Sequence, residues 1–151
     1  MELSIQRIEE IYQEKLNLLK ELVTCLSLER DSLINLDIGK LWALMEEKQK
    51  ILESIDIKAK QVRDIIEESY PDREIPVKDH RRIRGLSQKI ADLKEEIKTR
   101  VRENVSFIQD SLGFINEMIS VLVTGGRPAF SYDPVVKNKK KMSSIIYYKE
   151  V

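Results

Sequence analysis

Cysteine and histidine are nearly missing from this 151-residue chain, which has one of each. A single thiol forms no internal disulfide, and one thiol with one imidazole falls short of the ligand set of an ordinary zinc site. Glycine and proline are also scarce, at 5 and 4 residues, too few for the turns that a β-sandwich or barrel needs every ~8–12 residues. There is no run of ~18 apolar residues, so no membrane-spanning helix and no stable membrane insertion are expected. The N-terminus lacks a basic segment followed by an apolar one, so no signal peptide is expected and the cytoplasm is the expected address. Neither sign of charge dominates, with 26 basic residues against 26 acidic ones, which argues against nucleic acid as a partner.

What the chain does have is 34% charged and 42% hydrophobic residues, arranged at the helical period. From Leu3 to Ile34 the apolar positions Ile5, Ile8, Tyr12, Leu16, Leu19, Leu22, Leu26 and Leu33 recur by threes, fours and one seven, and charges fill the other faces. Asn35-Leu36-Asp37-Ile38-Gly39 breaks this pattern with residues that favour turns and caps, and Asp37 is the expected N-cap. A second stripe, Leu41, Leu44, Met45, Ile51, Leu52, Ile55, Val62, Ile65 and Ile66, runs to Pro71, where the helix must stop. The break is short enough to make the first two helices an antiparallel hairpin. Pro71 and Pro76 mark a connector, and Asp79 is the expected cap of a third helix. That helix steps from Ile83 through Ile90, Ile97, Val101, Val105 and Ile108 to Leu122, and Gly125-Gly126 supplies its stop.

The expected fold is all-α: an elongated antiparallel bundle of three long helices, coiled-coil-like, over residues 1–126, followed by a flexible basic tail over residues 127–151. The tail holds six basic residues and two acidic ones, a net charge of +4, so the neutral chain is −4 upstream of it.

Length then singles out one segment. At 1.5 Å per residue the second and third helices run to roughly 48 and 69 Å, so a third helix antiparallel to the second overhangs it by roughly 20 Å. The overhanging sequence is Ser111 to Thr124, which carries one charge, Glu117, and apolar residues on almost every face. A helix that is apolar all round wants cover, and an exposed apolar patch marks an interaction site. Folding back at Gly113 and dimerisation are the alternatives.

Convergent chemistry is missing. His80 stands among charges at a helix start and reads as solvated, and Cys25 falls within an apolar stripe and reads as a small core residue. The pairs Glu9-Glu10, Glu46-Glu47, Glu67-Glu68 and Glu95-Glu96 are adjacent in sequence, so they point about 100° apart on a helix and suit solvation rather than a shared metal or proton. The expectation is a protein without catalytic residues, metal or cofactor. Trp42, the single tryptophan, reads as an anchor of the bundle near the hairpin.

The segment from Leu28-Glu29-Arg30-Asp31-Ser32-Leu33 through Asp37-Ile38-Gly39-Lys40-Leu41 to Glu46-Glu47-Lys48-Gln49-Lys50-Ile51-Leu52-Glu53-Ser54-Ile55 resembles the central pattern of the flagellar export chaperone FlgN family. The close Phe130-Ser131-Tyr132-Asp133 is similar to the way many members end. The resemblance implies a cytoplasmic chaperone of flagellar type III export. Such a chaperone holds hook-associated proteins unpolymerised and delivers them to components of the export apparatus, and members bind clients largely through their C-terminal region. That region corresponds here to Phe107, Leu112, Phe114, Ile115, Met118, Ile119 and Leu122, with Phe130 and Tyr132 in the early tail. A monomer or weak dimer is expected. A homo-oligomerising coiled-coil adaptor without a secretion role is the competing reading.

Overall fold

The computed structural model describes residues 2–125 and contains three helices, α1 (Glu2–Ile34), α2 (Ile38–Ser69) and α3 (Val77–Thr124). No strand occurs among the described residues, and the fold is all-α, as the apolar spacing predicts. The tail 127–151 lies outside the described residues. The chain divides into two compact units, one up to Lys98 and one from Thr99 onward, with the boundary inside α3.

In the first unit α1 and α2 form an antiparallel pair, as a series of cross-links running from the open end to the turn shows. Ser4 Oγ donates to Ser69 Oγ (2.9 Å), Lys58 pairs with Glu14, Cys25 Sγ donates to the Leu44 carbonyl (3.5 Å) and Lys48 Nζ donates to Glu29 Oε2 (2.7 Å). Ile5, Ile8, Ile11, Leu16, Leu19, Leu22 and Leu26 of α1 are buried, as are Leu44, Ile51, Leu52, Ile55 and Val62 of α2. Each such side chain contributes about 1.5–3 kcal/mol on leaving water, far more than any surface ion pair. The first part of α3 adds Ile83, Ile90 and Ile97 to the buried set, and Arg82 Nε donates to Glu9 Oε2 at 2.6 Å. Tyr12 and Lys15 face Ser87, Ile90 and Lys94 further along, so this part of α3 runs parallel to α1.

The turn between α1 and α2 combines two caps. Asp37 N–H donates to the Ser32 carbonyl (2.9 Å) and Leu36 N–H to that of Leu33 (3.3 Å), the two bonds of a Schellman motif. Asp37 then caps α2, its carboxylate accepting from Lys40 N–H at 3.1 Å, as expected. The left-handed position of the motif is usually glycine, but here it is Leu36, at φ 55°. A side chain in that conformation costs about 1 kcal/mol, and Leu36 recovers none of it by packing, since its side chain is 79% exposed.

The second connector is built on Tyr70, a residue the sequence pattern leaves in the linker. Its ring is buried with Ile5, Ile8, Ile11, Val62 and Ile83, its N–H closes α2 on the Ile66 carbonyl (3.0 Å), and its hydroxyl reaches Asp79 Oδ2 at 3.5 Å. Burial raises the Tyr70 phenol above its ordinary value, and the Asp79 carboxylate adds to the shift. Asp79 is not the cap of α3. The helix begins at Val77, where the Pro76 carbonyl accepts from Asp79 N–H (2.9 Å) and His80 N–H (3.0 Å), leaving Asp79 in the first turn, where its charge suits the helix dipole.

Two further departures concern side chains. Trp42 is no bundle anchor, because it is 63% exposed on α2. Glu29 and Lys48 form an ion pair inside the hairpin, with side chains only 8% and 7% exposed.

Candidate partner-binding site

α3 runs unbroken through Gly113 to Thr124, so the fold-back alternative at that glycine does not occur. An added Cβ at Gly113 would meet nothing within 4 Å, so no close approach requires the glycine. The helix ends with Thr124 Oγ1 donating to the Ser120 carbonyl (2.6 Å) and with Gly125 in the left-handed region at φ 65°.

Along this second unit the exposure of the apolar side chains changes. Val101, Asn104, Val105 and Ile108 are buried. Phe107 and Leu112 are half-buried. From Phe114 on the apolar side chains are exposed: Phe114 63%, Ile115 50%, Met118 50%, Ile119 53% and Leu122 81%. Val121 and Val123, outside the expected set, are exposed as well. At 100° per residue these seven side chains span roughly 200° of the helix circumference, about twice the stripe a core-facing helix needs. Glu117 is the single charge among them. Of the expected site residues, five thus lie together on the last three turns of α3 and two border them. Phe130 and Tyr132 lie outside the described residues.

The remaining polar chemistry is structural. Burial pushes the Cys25 thiol up from 9.0 to about 11, with the Glu47 carboxylate adding to the shift, so at neutral pH it is a protonated core group rather than a nucleophile. His80 is exposed. Lys15 lies in the α1–α3 groove, and its ammonium is depressed by burial first and by Lys94 and Arg63 second. No group of acidic, histidine or cysteine side chains able to hold a metal occurs among the described residues, and none of the described helices is long and apolar enough to cross a membrane.

The Cys25 shift has a measurable consequence. Between pH 9.0 and about 11 the native thiol keeps a proton that the unfolded chain has released, so the unfolded state binds fewer protons and stability falls as pH rises. The contribution is whole below pH 9.0 and is lost through about 11. Urea unfolding midpoints at about pH 8 and about pH 10.5 should therefore differ less in Cys25→Ala than in the parent. Tyr12 and Tyr70, whose phenols burial also raises, supply the fall that remains.

Together these features define an all-α protein of long helices that keeps an apolar, nearly uncharged helix surface open to solvent. Comparison with known families identifies it further: the model of the FlgN family, described as FlgN protein, matches residues 1–139, and the chain belongs to that family. It is thus one of the flagellar export chaperones, a family of binding proteins rather than of enzymes. Neither the curated proteins nor the solved structures yielded a match.

Proposed function

We propose that the last three turns of α3 form the surface on which this chaperone holds hook-associated proteins in the cytoplasm, keeping them unpolymerised until they reach the type III export apparatus. The observation carrying this reading is the passage of one apolar stripe from under 10% exposed at Val101, Val105 and Ile108 to half-exposed or more at Ile115, Ile119 and Leu122, with Phe114 and Met118 exposed beside it. An amphipathic terminal helix of the client, laid along that face, covers it and masks its own polymerisation surface in the same contact. The width of the exposed arc suits a partner that wraps the helix, and Phe114 and Met118 suit one whose contacts must repack. Ordering a client segment on binding costs about 2–5 kcal/mol, which keeps affinity modest and release possible.

Sedimentation tests this reading against the adaptor alternative. The expected result is a monomer or weak dimer that forms a 1:1 complex with a hook-associated protein. An obligate oligomer that fails to bind any hook-associated protein contradicts it.

A further inference from the structure

A second apolar surface lies in the first unit, at the turn between α1 and α2. Ile34, Leu36, Ile38 and Trp42 are 55%, 79%, 65% and 63% exposed within nine residues of sequence. Ile38 and Trp42 stand one turn apart on the same side of α2, while Ile34 and Leu36 end α1 and enter the turn. Two observations set this patch apart from scattered surface leucines. The side-chain type that buries the largest area is held in water, and the chain places a leucine in a left-handed cap position where glycine is unstrained, without packing that leucine on anything. Backbone strain persists where surrounding structure enforces it and clusters at ligand clamps and switches. Here the Schellman bonds and the Asp37 cap enforce it, and they hold the Leu36 side chain outward.

The charges around the patch select its occupant. Asp31, Asp37 and Glu46 border it against Arg30 and Lys40, Glu47 lies on the other side of α2, and Lys48 is turned inward to Glu29. Glu46 continues the line of Ile38 and Trp42 by one more turn. An acidic border repels an anionic lipid surface. It also disfavours a second copy of this chain, because a two-fold contact sets each carboxylate against carboxylates of the same patch. It suits an apolar surface edged with cations.

We infer that the α1–α2 turn is a second protein-docking surface, in which Ile34, Leu36, Ile38 and Trp42 receive an apolar helix face bordered by lysine or arginine. It belongs to the first unit and does not depend on the reading of the α3 surface.

Trp42 is the single tryptophan of the chain, so its fluorescence reports this patch directly. In the free full-length protein the emission should be that of a hydrated indole and independent of protein concentration. Titration with an amphipathic helical peptide of leucine and lysine should give a saturable blue shift that weakens with added salt, whereas a leucine–glutamate peptide of the same length should give none. Leu36→Gly should melt higher by roughly 3 °C, because the strain is relieved, yet bind the lysine peptide about tenfold more weakly. Phe114→Asp with Met118→Asp should leave this binding unchanged. The inference is overturned by any of four results. These are equal shifts with both peptides or none with either, unchanged binding in Leu36→Gly, and a shift with phosphatidylglycerol vesicles but not with the peptide. The fourth is an emission already blue-shifted in the free chain, which would mean that the chain itself or a second copy covers the turn.

Discussion

Phe114→Asp combined with Met118→Asp is expected to weaken binding of a hook-associated client by more than about a hundredfold while moving the melting temperature by no more than about 2 °C. The binding loss follows from desolvation: two carboxylates placed in an apolar contact without partners cost several kcal/mol, and about 2.7 kcal/mol already makes a hundredfold. The unchanged melting follows from exposure. Phe114 and Met118 are 63% and 50% exposed, so their removal opens no cavity, and the lower helix propensity of aspartate costs only tenths of a kcal/mol. The same change at Ile108, which is 8% exposed, should instead melt the protein. Isothermal titration and thermal melting on the same preparations check both halves. A large fall in melting temperature of the double variant would mean that these side chains belong to the core, and the client surface would have to be sought elsewhere.

Lys48→Met is expected to destabilise the α1–α2 pair by about 3–5 kcal/mol. The substitution leaves the Glu29 carboxylate inside the hairpin, 8% exposed, without the ammonium that donates to it at 2.7 Å. Removing both charges, as Glu29→Leu with Lys48→Met, should recover most of that loss, because a packed apolar pair replaces a desolvated ionic one at little net cost. Chemical denaturation of the parent and the three variants closes the cycle. Additive losses in the two single variants, with no recovery in the double, would show that the pair is solvated and of little weight.

Helix limits could be read closely from the chain because local chemistry sets them: Asp37 caps α2, Pro71 stops it and Gly125 ends α3. Residue type misleads where angular position on the helix decides burial. Trp42 lies two residues before the buried Leu44, about 200° around the helix, so α2 carries it to the face away from the core however large its ring. Lys48, by contrast, falls on the core stripe with Leu44, Ile51, Leu52 and Ile55, and Glu29 falls on that of Leu22 and Leu26. The helical wheel therefore required two opposite charges to meet inside the hairpin. Tyr70 continues the fourfold stepping of Val62 and Ile66 into what Pro71 makes look like linker. The strained Leu36 has no sequence signal, because the glycine that usually takes such a position stands three residues later, inside α2.

At the end of α3 composition and structure contribute different things. A single charge between Ser111 and Thr124 marks the stretch as one that wants cover, but composition does not distinguish a buried helix from an open one. The exposure of Phe114, Ile115, Met118, Ile119 and Leu122 on an unbroken helix makes that distinction.

Hydrogen exchange of the backbone amides of residues 114–123, in the free protein and with a saturating hook-associated protein, puts the client surface to its most direct test. Rapid exchange in the free chain, slowing on client addition over these residues and not over the buried stretch around Ile8 and Leu19, is the predicted result. Amides already protected in the free chain, or equally fast with and without the client, would contradict it.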